Sequence, residues 1–187
     1  MCKIFIIRHG KVDFKWQGLC DSAEFDRDCR DYDRAPLADE RYDLPEVSDN
    51  AIYISTLPRS RDTAHMLFGQ REFIVSELID EVPLRSGFDT RLKLSQWFWK
   101  AIGRIQWYMD HSRQPESRTL SRERAKRFVE LLCDDRDCTV VTHGFFMHTL
   151  LSELKHSGFS ISKTHARYRN GECVIAERIC QFTSRMI

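Results

Sequence analysis

Two His-Gly pairs, His9-Gly10 and His143-Gly144, each follow a short run rich in β-branched apolar residues. A histidine at the carboxyl end of a buried strand faces the mouth of a cleft, and a following glycine lets a ligand come close to the backbone N–H. Arg8 sets a permanent positive charge beside His9. Ser55 ends another apolar run, and Arg59 follows on the predicted first turn of a helix, where backbone N–H groups already favour an anion. Two imidazoles, two guanidiniums and a helix start suit a phosphoryl group. Neutral imidazole is a competent nucleophile. The transferred group spreads its charge over equatorial oxygens, so catalysis is mostly positioning and positive charge. On this reading Arg8, Arg59 and a protonated His143 take the place of a metal. A leaving oxygen also needs a proton donor. Glu81, in the loop Asp80-Glu81-Val82-Pro83, is the natural candidate, with Asp80 and Glu77 close by as alternatives.

The elements that must position these groups follow from the apolar pattern. Lys3–Ile7, Ala51–Ser55, Phe73–Ser76, Cys138–Thr142 and Glu172–Arg178 read as strands. Helices are expected from Pro58 to about Phe68 with Gly69 as stop, from Thr90 to His111, from Ser121 to Cys133, and from Phe145 to Lys155. Asp80 to Gly87 reads as a loop. The stretch Asp21 to Asp49 is acidic and poor in large apolar residues, and Pro36 and Pro45 interrupt it. It reads as a long solvated loop with a short helical piece. Strands alternating with helices give an α/β class: three layers, doubly wound, a mostly parallel sheet with helices on both faces. Ligands in such sheets sit beyond the carboxyl ends of the strands. The 187 residues suit one domain spanning 1–187.

Composition narrows the class of partner. Lys and Arg total 29 and Asp and Glu 28, so the net charge of +1 speaks against a general nucleic-acid binder. Of the basic residues 21 are Arg, the side chain suited to gripping a planar oxyanion. Mean hydropathy is -0.47 with no apolar run of membrane-spanning length, so no membrane partner is expected. Seven cysteines without a secretion signal read as reduced thiols in a cytoplasmic protein. Cys2 and Arg8 have the spacing of cysteine-dependent phosphatases, but a strand rather than a glycine-rich loop lies between them. No His-Glu-x-x-His or Cys-x-x-Cys pattern occurs, so no metal or other cofactor is expected.

Four blocks occur in order along most of the chain, and together they resemble the histidine phosphatase superfamily, also called phosphoglycerate mutase-like. They are Phe5-Ile6-Ile7-Arg8-His9-Gly10, Ser55 to Ala64 around Arg59, Glu81-Val82-Pro83, and Val140-Val141-Thr142-His143-Gly144. Glu116-Ser117, ahead of a helix containing Arg124, resembles a connecting segment of that family. The resemblance implies that His9 is phosphorylated. It implies that Arg8, Arg59 and His143, with Gly10 and Gly144, hold the phosphoryl group, and that Glu81 is proton donor and then base. The sequence departs from the family pattern after the Arg-His-Gly triplet. Val12 and Lys15 replace the common Thr and Asn, and Lys11 stands where Glu or Gln is common. It also lacks the length and post-triplet pattern of the glycolytic mutases. The expected activity is therefore a metal-independent phosphatase acting on a phosphomonoester or other phosphoryl compound, with a phosphomutase or a non-catalytic phosphate-binding protein as alternatives.

The substrate pocket is harder to read. Its candidates are Lys11, Trp16, Trp99, Trp107 and Phe145. At helical period Leu94, Phe98, Ala101, Ile102, Ile105, Tyr108 and Met109 share one face, which is expected to be core. Trp99 and Trp107 fall away from it, where they would form a cleft wall or an oligomer interface, or be buried under the neighbouring loop. His148, five residues beyond His143, is close enough in sequence to reach the cleft. The expected partner is a phosphorylated small molecule; a homodimer is compatible with the sequence.

Overall fold

The computed structural model describes residues 2–44, 46–47, 51–132 and 136–178. Its elements in chain order are β1 (Cys2–Arg8), β2 (Leu19–Cys20), α1 (Ser22–Arg34), β3 (Ala51–Ile54), α2 (Pro58–Phe68), β4 (Ile74–Val75), β5 (Leu94–Ser95), α3 (Gln96–Tyr108), α4 (Arg118–Leu131), β6 (Cys138–Thr142), α5 (Phe146–His156), β7 (Ser160–Ile161) and β8 (Cys173–Arg178). The main sheet has the order β4-β3-β6-β1-β8-β7. Its pairs β4–β3, β3–β6 and β6–β1 are parallel. Pairs β1–β8 and β8–β7 are antiparallel. The sheet is thus mixed but mostly parallel, and its three central parallel strands end at Arg8, Ile54 and Thr142.

Period-two alternation sorts the strand side chains between two cores. Ile4, Ile6, Val140, Val174 and Ala176 pack against Ala125, Phe128 and Val129 of α4 and Met147, Leu150 and Leu154 of α5. Ile7, Val141, Ile52 and Ile54 pack on the other face against Ala64 and Leu67 of α2. This is the expected three-layer α/β arrangement. Pro58 opens α2, and Gly69 closes it at φ 71, where a side chain would be strained.

Several sequence expectations are corrected. The acidic stretch holds a thirteen-residue helix, α1. An Asp21–Glu24 capping box starts it and Phe25 anchors it in a core with Cys20 and Trp99. Its acids do not form a solvated face: Asp28 is buried, Asp26 and Asp33 line the cleft, and Asp31 is exposed. The Pro45 break and Asp49 lie outside the described residues, as does the expected helix end at Cys133. The helix expected from Thr90 begins only at Gln96, because Leu94–Ser95 pairs with Leu19–Cys20. The third strand shrinks to Ile74–Val75 at the sheet edge. Most of the expected core face of α3 is exposed: Phe98, Ala101, Ile105, Tyr108 and Met109 are on the surface, and only Leu94 and Ile102 pack against the core that holds Trp99, itself 0% exposed. Both faces of this helix are apolar, so periodicity could not say which one α1 would cover. Among the described residues no helix is long and apolar enough to cross a membrane.

Candidate active site

Beyond the ends of β1 and β6 the rings of His9 and His143 lie 5.0 Å apart, tilted by 53°. Both are buried. The His9 backbone N–H donates to the Thr142 carbonyl at 2.8 Å, which ties one strand end to the next. The His9 Nδ1 lies 2.6 Å from its neighbour's carbonyl, Gly10 O. A carbonyl only accepts, so Nδ1 carries the proton and Nε2 keeps the lone pair. Burial, then the nearby Arg59 and Arg8 charges, push the His9 pKa well below 6.5.

His143 is equally constrained. Arg59 Nε donates to its Nδ1 at 3.1 Å, so Nε2 is the protonated nitrogen and faces Ser55 Oγ at 2.6 Å. Burial and the Arg59 charge push its pKa well below 6.5. The expectation of a protonated His143 is therefore corrected: the ring is neutral and both nitrogens are occupied. Arg59, which can only donate, fixes this tautomer, and Ser55 at the end of β3 accepts the Nε2 proton. Arg59 itself is 1% exposed and commits Nη1 to Asp33 of α1, at 2.8 Å. Thr63 supports the same corner; its hydroxyl donates to Arg59 O and accepts the Gly10 N–H at 2.8 Å. That corrects the expectation for Gly10, whose N–H is not free for a ligand. Gly10 instead packs where an added Cβ would meet the Tyr42 ring at 3.2 Å.

Arg8 and Gly144 fit together by necessity. A Cβ on Gly144 would sit 2.6 Å from Arg8 Nε. The absence of that carbon lets the Arg8 side chain lie across the turn, where Nη1 donates to the Tyr168 carbonyl and Nε is buried without a partner. Asn170 closes this side by donating to the His9 and Gly10 carbonyls.

The three acids of the next loop separate by what they bind. Asp80 is taken by Thr56, through N–H at 2.7 Å and the hydroxyl at 2.5 Å. Glu81 caps α5: Oε1 accepts the Val82 and Phe146 N–H groups at 3.0 and 2.9 Å, and Oε2 only a long 3.3 Å bond from Phe145. Oε2 is thus the less committed oxygen. Glu77 contributes its carbonyl, with those of Leu78 and Asp80, to Nη1 of Arg124. Arg124 also pairs with Glu116 at 3.0 Å, so one guanidinium holds the whole acid loop against α4.

A cleft of about 1400 Å³ opens beside these groups, lined by several of them but by neither His9 nor His143. Arg8, Arg59, Glu81 and Gly144 line it, as do Lys11, Trp16, Phe145 and His148. Lys11 stands at the exposed mouth, paired with Glu40. Trp99 and Trp107 do not line it, which corrects their assignment as a cleft wall. Trp99 stacks on Phe25 and donates to the Cys20 carbonyl. Trp107 lies behind Phe145, edge to face, with Nε1–H on Ser121 Oγ. The α3 side chains that do face the cleft are Lys100 and Arg104. Sequence reading missed these two along with Asp33, Tyr168 and Asn170. Asp33 sits in an acidic run that reads as solvated. Lys100 and Arg104, four apart on an aromatic helix, were the available signal. Among the described residues no group of three His, Cys, Asp or Glu side chains is placed to hold a metal ion.

No curated protein matches the chain. Its fold is similar to that of an Escherichia coli protein provisionally called an α-ribazole-5'-P phosphatase, with a TM-score of 0.61, 18% identity and coverage of 94% of this chain and 90% of that one. It is also similar to the mycobacterial glucosyl-3-phosphoglycerate phosphatase (TM-score 0.53, 20% identity, 94% and 89% covered). The phosphoglycerate mutase of Thermus thermophilus is comparable (TM-score 0.56, 20% identity, 92% and 91% covered). At such identities the likeness is one of fold. The family model is decisive: it matches residues 4–178, from the first strand to the last, and the chain belongs to the histidine phosphatase superfamily (branch 1).

Proposed function

We propose that the protein is a metal-independent phosphatase that hydrolyses a phosphomonoester through a phosphohistidine on His9. The observation that carries this reading is the His9 tautomer. A neutral ring with Nδ1–H on Gly10 O has its lone pair on Nε2, beside the Arg8 and Arg59 charges. In the first step Nε2 attacks phosphorus in line, the bond from phosphorus to the ester oxygen breaks, and the Glu81 carboxyl gives that oxygen its proton. In the second, the Glu81 carboxylate takes a proton from water as the water oxygen attacks phosphorus. The nitrogen–phosphorus bond breaks, phosphate leaves and His9 is neutral again. Arg8, whose Nε is otherwise unpartnered, offers positive charge to the equatorial oxygens. Arg59 and the neutral His143 behind it hold the geometry; His143 reaches the phosphoryl group only by exchanging Ser55 or Arg59 for it.

The test is label from a phosphorus-labelled ester, trapped by rapid quench. Acid-labile, alkali-stable label is expected on the wild type and absent from His9→Ala, with turnover abolished and EDTA without effect. Label persisting in His9→Ala would sink the proposal. Release of free phosphate, rather than transfer to a second hydroxyl, separates hydrolysis from phosphomutase action. Turnover of an aryl phosphate separates either from mere binding.

A further inference from the structure

The cleft is far larger than one phosphoryl group needs, and its wall opposite the strand ends carries charge that the proposed chemistry does not use. Lys100 and Arg104 lie one turn apart on α3 and both face the cleft. Each is held by an aromatic ring and an uncharged acceptor. Lys100 Nζ stands 3.8 Å from the centre of the Trp16 ring and donates to Gln96 Oε1 at 3.0 Å. The Arg104 guanidinium stands 3.7 Å over the Phe145 ring, and Nη1 donates to the Val82 carbonyl at 3.1 Å. Among the described residues neither side chain has a carboxylate within ion-pair distance.

Cations drawn into a protein wall normally find a carboxylate, since an unpaired buried charge is costly. Here burial pushes the pKa of both groups down, and the nearby Arg167 and Arg104 charges add to the effect on Lys100. Arg167 lines the same cleft and also repels Arg8. Arg8, Arg167, Lys100 and Arg104 thus share one cleft, where Glu81 is the acid that acts on both Arg8 and Arg104, and ring faces fix Lys100 and Arg104. The acid that faces Arg104, Glu81, is already engaged as the cap of α5.

We propose that Lys100 and Arg104 form a second anion subsite, so that preferred substrates are phosphomonoesters whose leaving group carries a further carboxylate or phosphate. This rests on the phosphatase reading for the first anion, and it replaces the tryptophan wall expected from sequence with a cationic one. Trp16 and Phe145 serve it as supports rather than as direct contacts. One charge-assisted contact in a sheltered wall is worth roughly ten- to hundredfold in binding.

The test uses a matched series: propyl phosphate, 3-(phosphonooxy)propanoate and propane-1,3-diyl bisphosphate. Calorimetric binding to His9→Ala protein, which the proposal expects not to turn over, is measured first. The acid-bearing esters should bind about ten- to hundredfold tighter than propyl phosphate. Lys100→Met should remove most of that ratio, and Lys100→Arg should restore it. Which acid-bearing ester gains more tells carboxylate from phosphate. Equal binding of all three esters, or a ratio indifferent to Lys100→Met, overturns the subsite. Hydrolysis of the same series by wild type then tests the first reading alone. No phosphate release despite a Lys100-dependent binding ratio would remove the phosphatase and keep the subsite.

Discussion

The proposed nucleophile must be neutral, and that requirement can be weighed through stability. His9 and His143 are both held well below 6.5 by burial and by Arg59. In the unfolded chain each takes up a proton as pH falls through about 6.5, while the folded chain leaves both rings bare. The unfolded state then binds more protons, so stability is full above that pH and falls below it. Between pH 7.5 and 5.5 the loss is about 1.4 kcal/mol per ring, or about 2.7 kcal/mol for the pair, provided both rings stay neutral when folded. Urea unfolding at the two pH values, in phosphate-free buffer of fixed ionic strength, measures it. Carboxylates and the other histidines contribute their own slopes, so the informative quantity is the difference between proteins. His9→Asn keeps a polar side chain of similar reach and removes the titration. Its stability should fall by about 1.4 kcal/mol less than that of wild type over the same interval. Identical pH dependence in the two proteins would mean that His9 accepts a proton in the fold as readily as out of it. His9 would then not be the neutral nucleophile that the mechanism requires.

Glu81→Gln should lower phosphate release from an alkyl ester by roughly 10²–10⁴-fold. With an aryl phosphate, whose leaving group needs no donor, phosphorylated protein should accumulate as an initial burst. Unchanged steady-state release in both cases would take the proton-transfer role away from Glu81. Gly144→Ala puts a carbon 2.6 Å from Arg8 Nε and must move that side chain. A roughly hundredfold loss in kcat/KM is expected with little loss of stability, and wild-type kinetics would show that Arg8 does not meet the substrate where it now lies. Trp99→Ala empties a fully buried site and should cost about 3–5 kcal/mol in urea unfolding without changing substrate preference. A changed preference with intact stability would restore Trp99 to the cleft wall.

The reach of the sequence followed the range of the forces involved. Strands that end in His-Gly were legible because alternation and turn residues are local signals, and the parallel order then brings Arg8, Ser55 and His143 to one edge without further information. The Asp21–Glu24 capping box was equally local, yet it was outweighed by the acidic run around it; α1 forms because Phe25 finds Cys20 and Trp99 in a shared core. The face of α3 was not legible at all. Trp99 and Phe98 are neighbours of similar polarity, and only the packing of α1 over one side decides that Trp99 is core and that Lys100 and Arg104 look into the cleft.

The same division holds at the site. The sequence by itself determined the residue types that could move a phosphoryl group and the strand ends that carry them. Tertiary structure decided their states. It committed both His143 nitrogens and the Gly10 N–H to protein partners, separated Glu81 from Asp80 by giving each different donors, and left Arg8 Nε without one. The physical reason is that protonation state and hydrogen-bond vacancy depend on what surrounds a group in space, and those neighbours come from elements that the chain alone does not place.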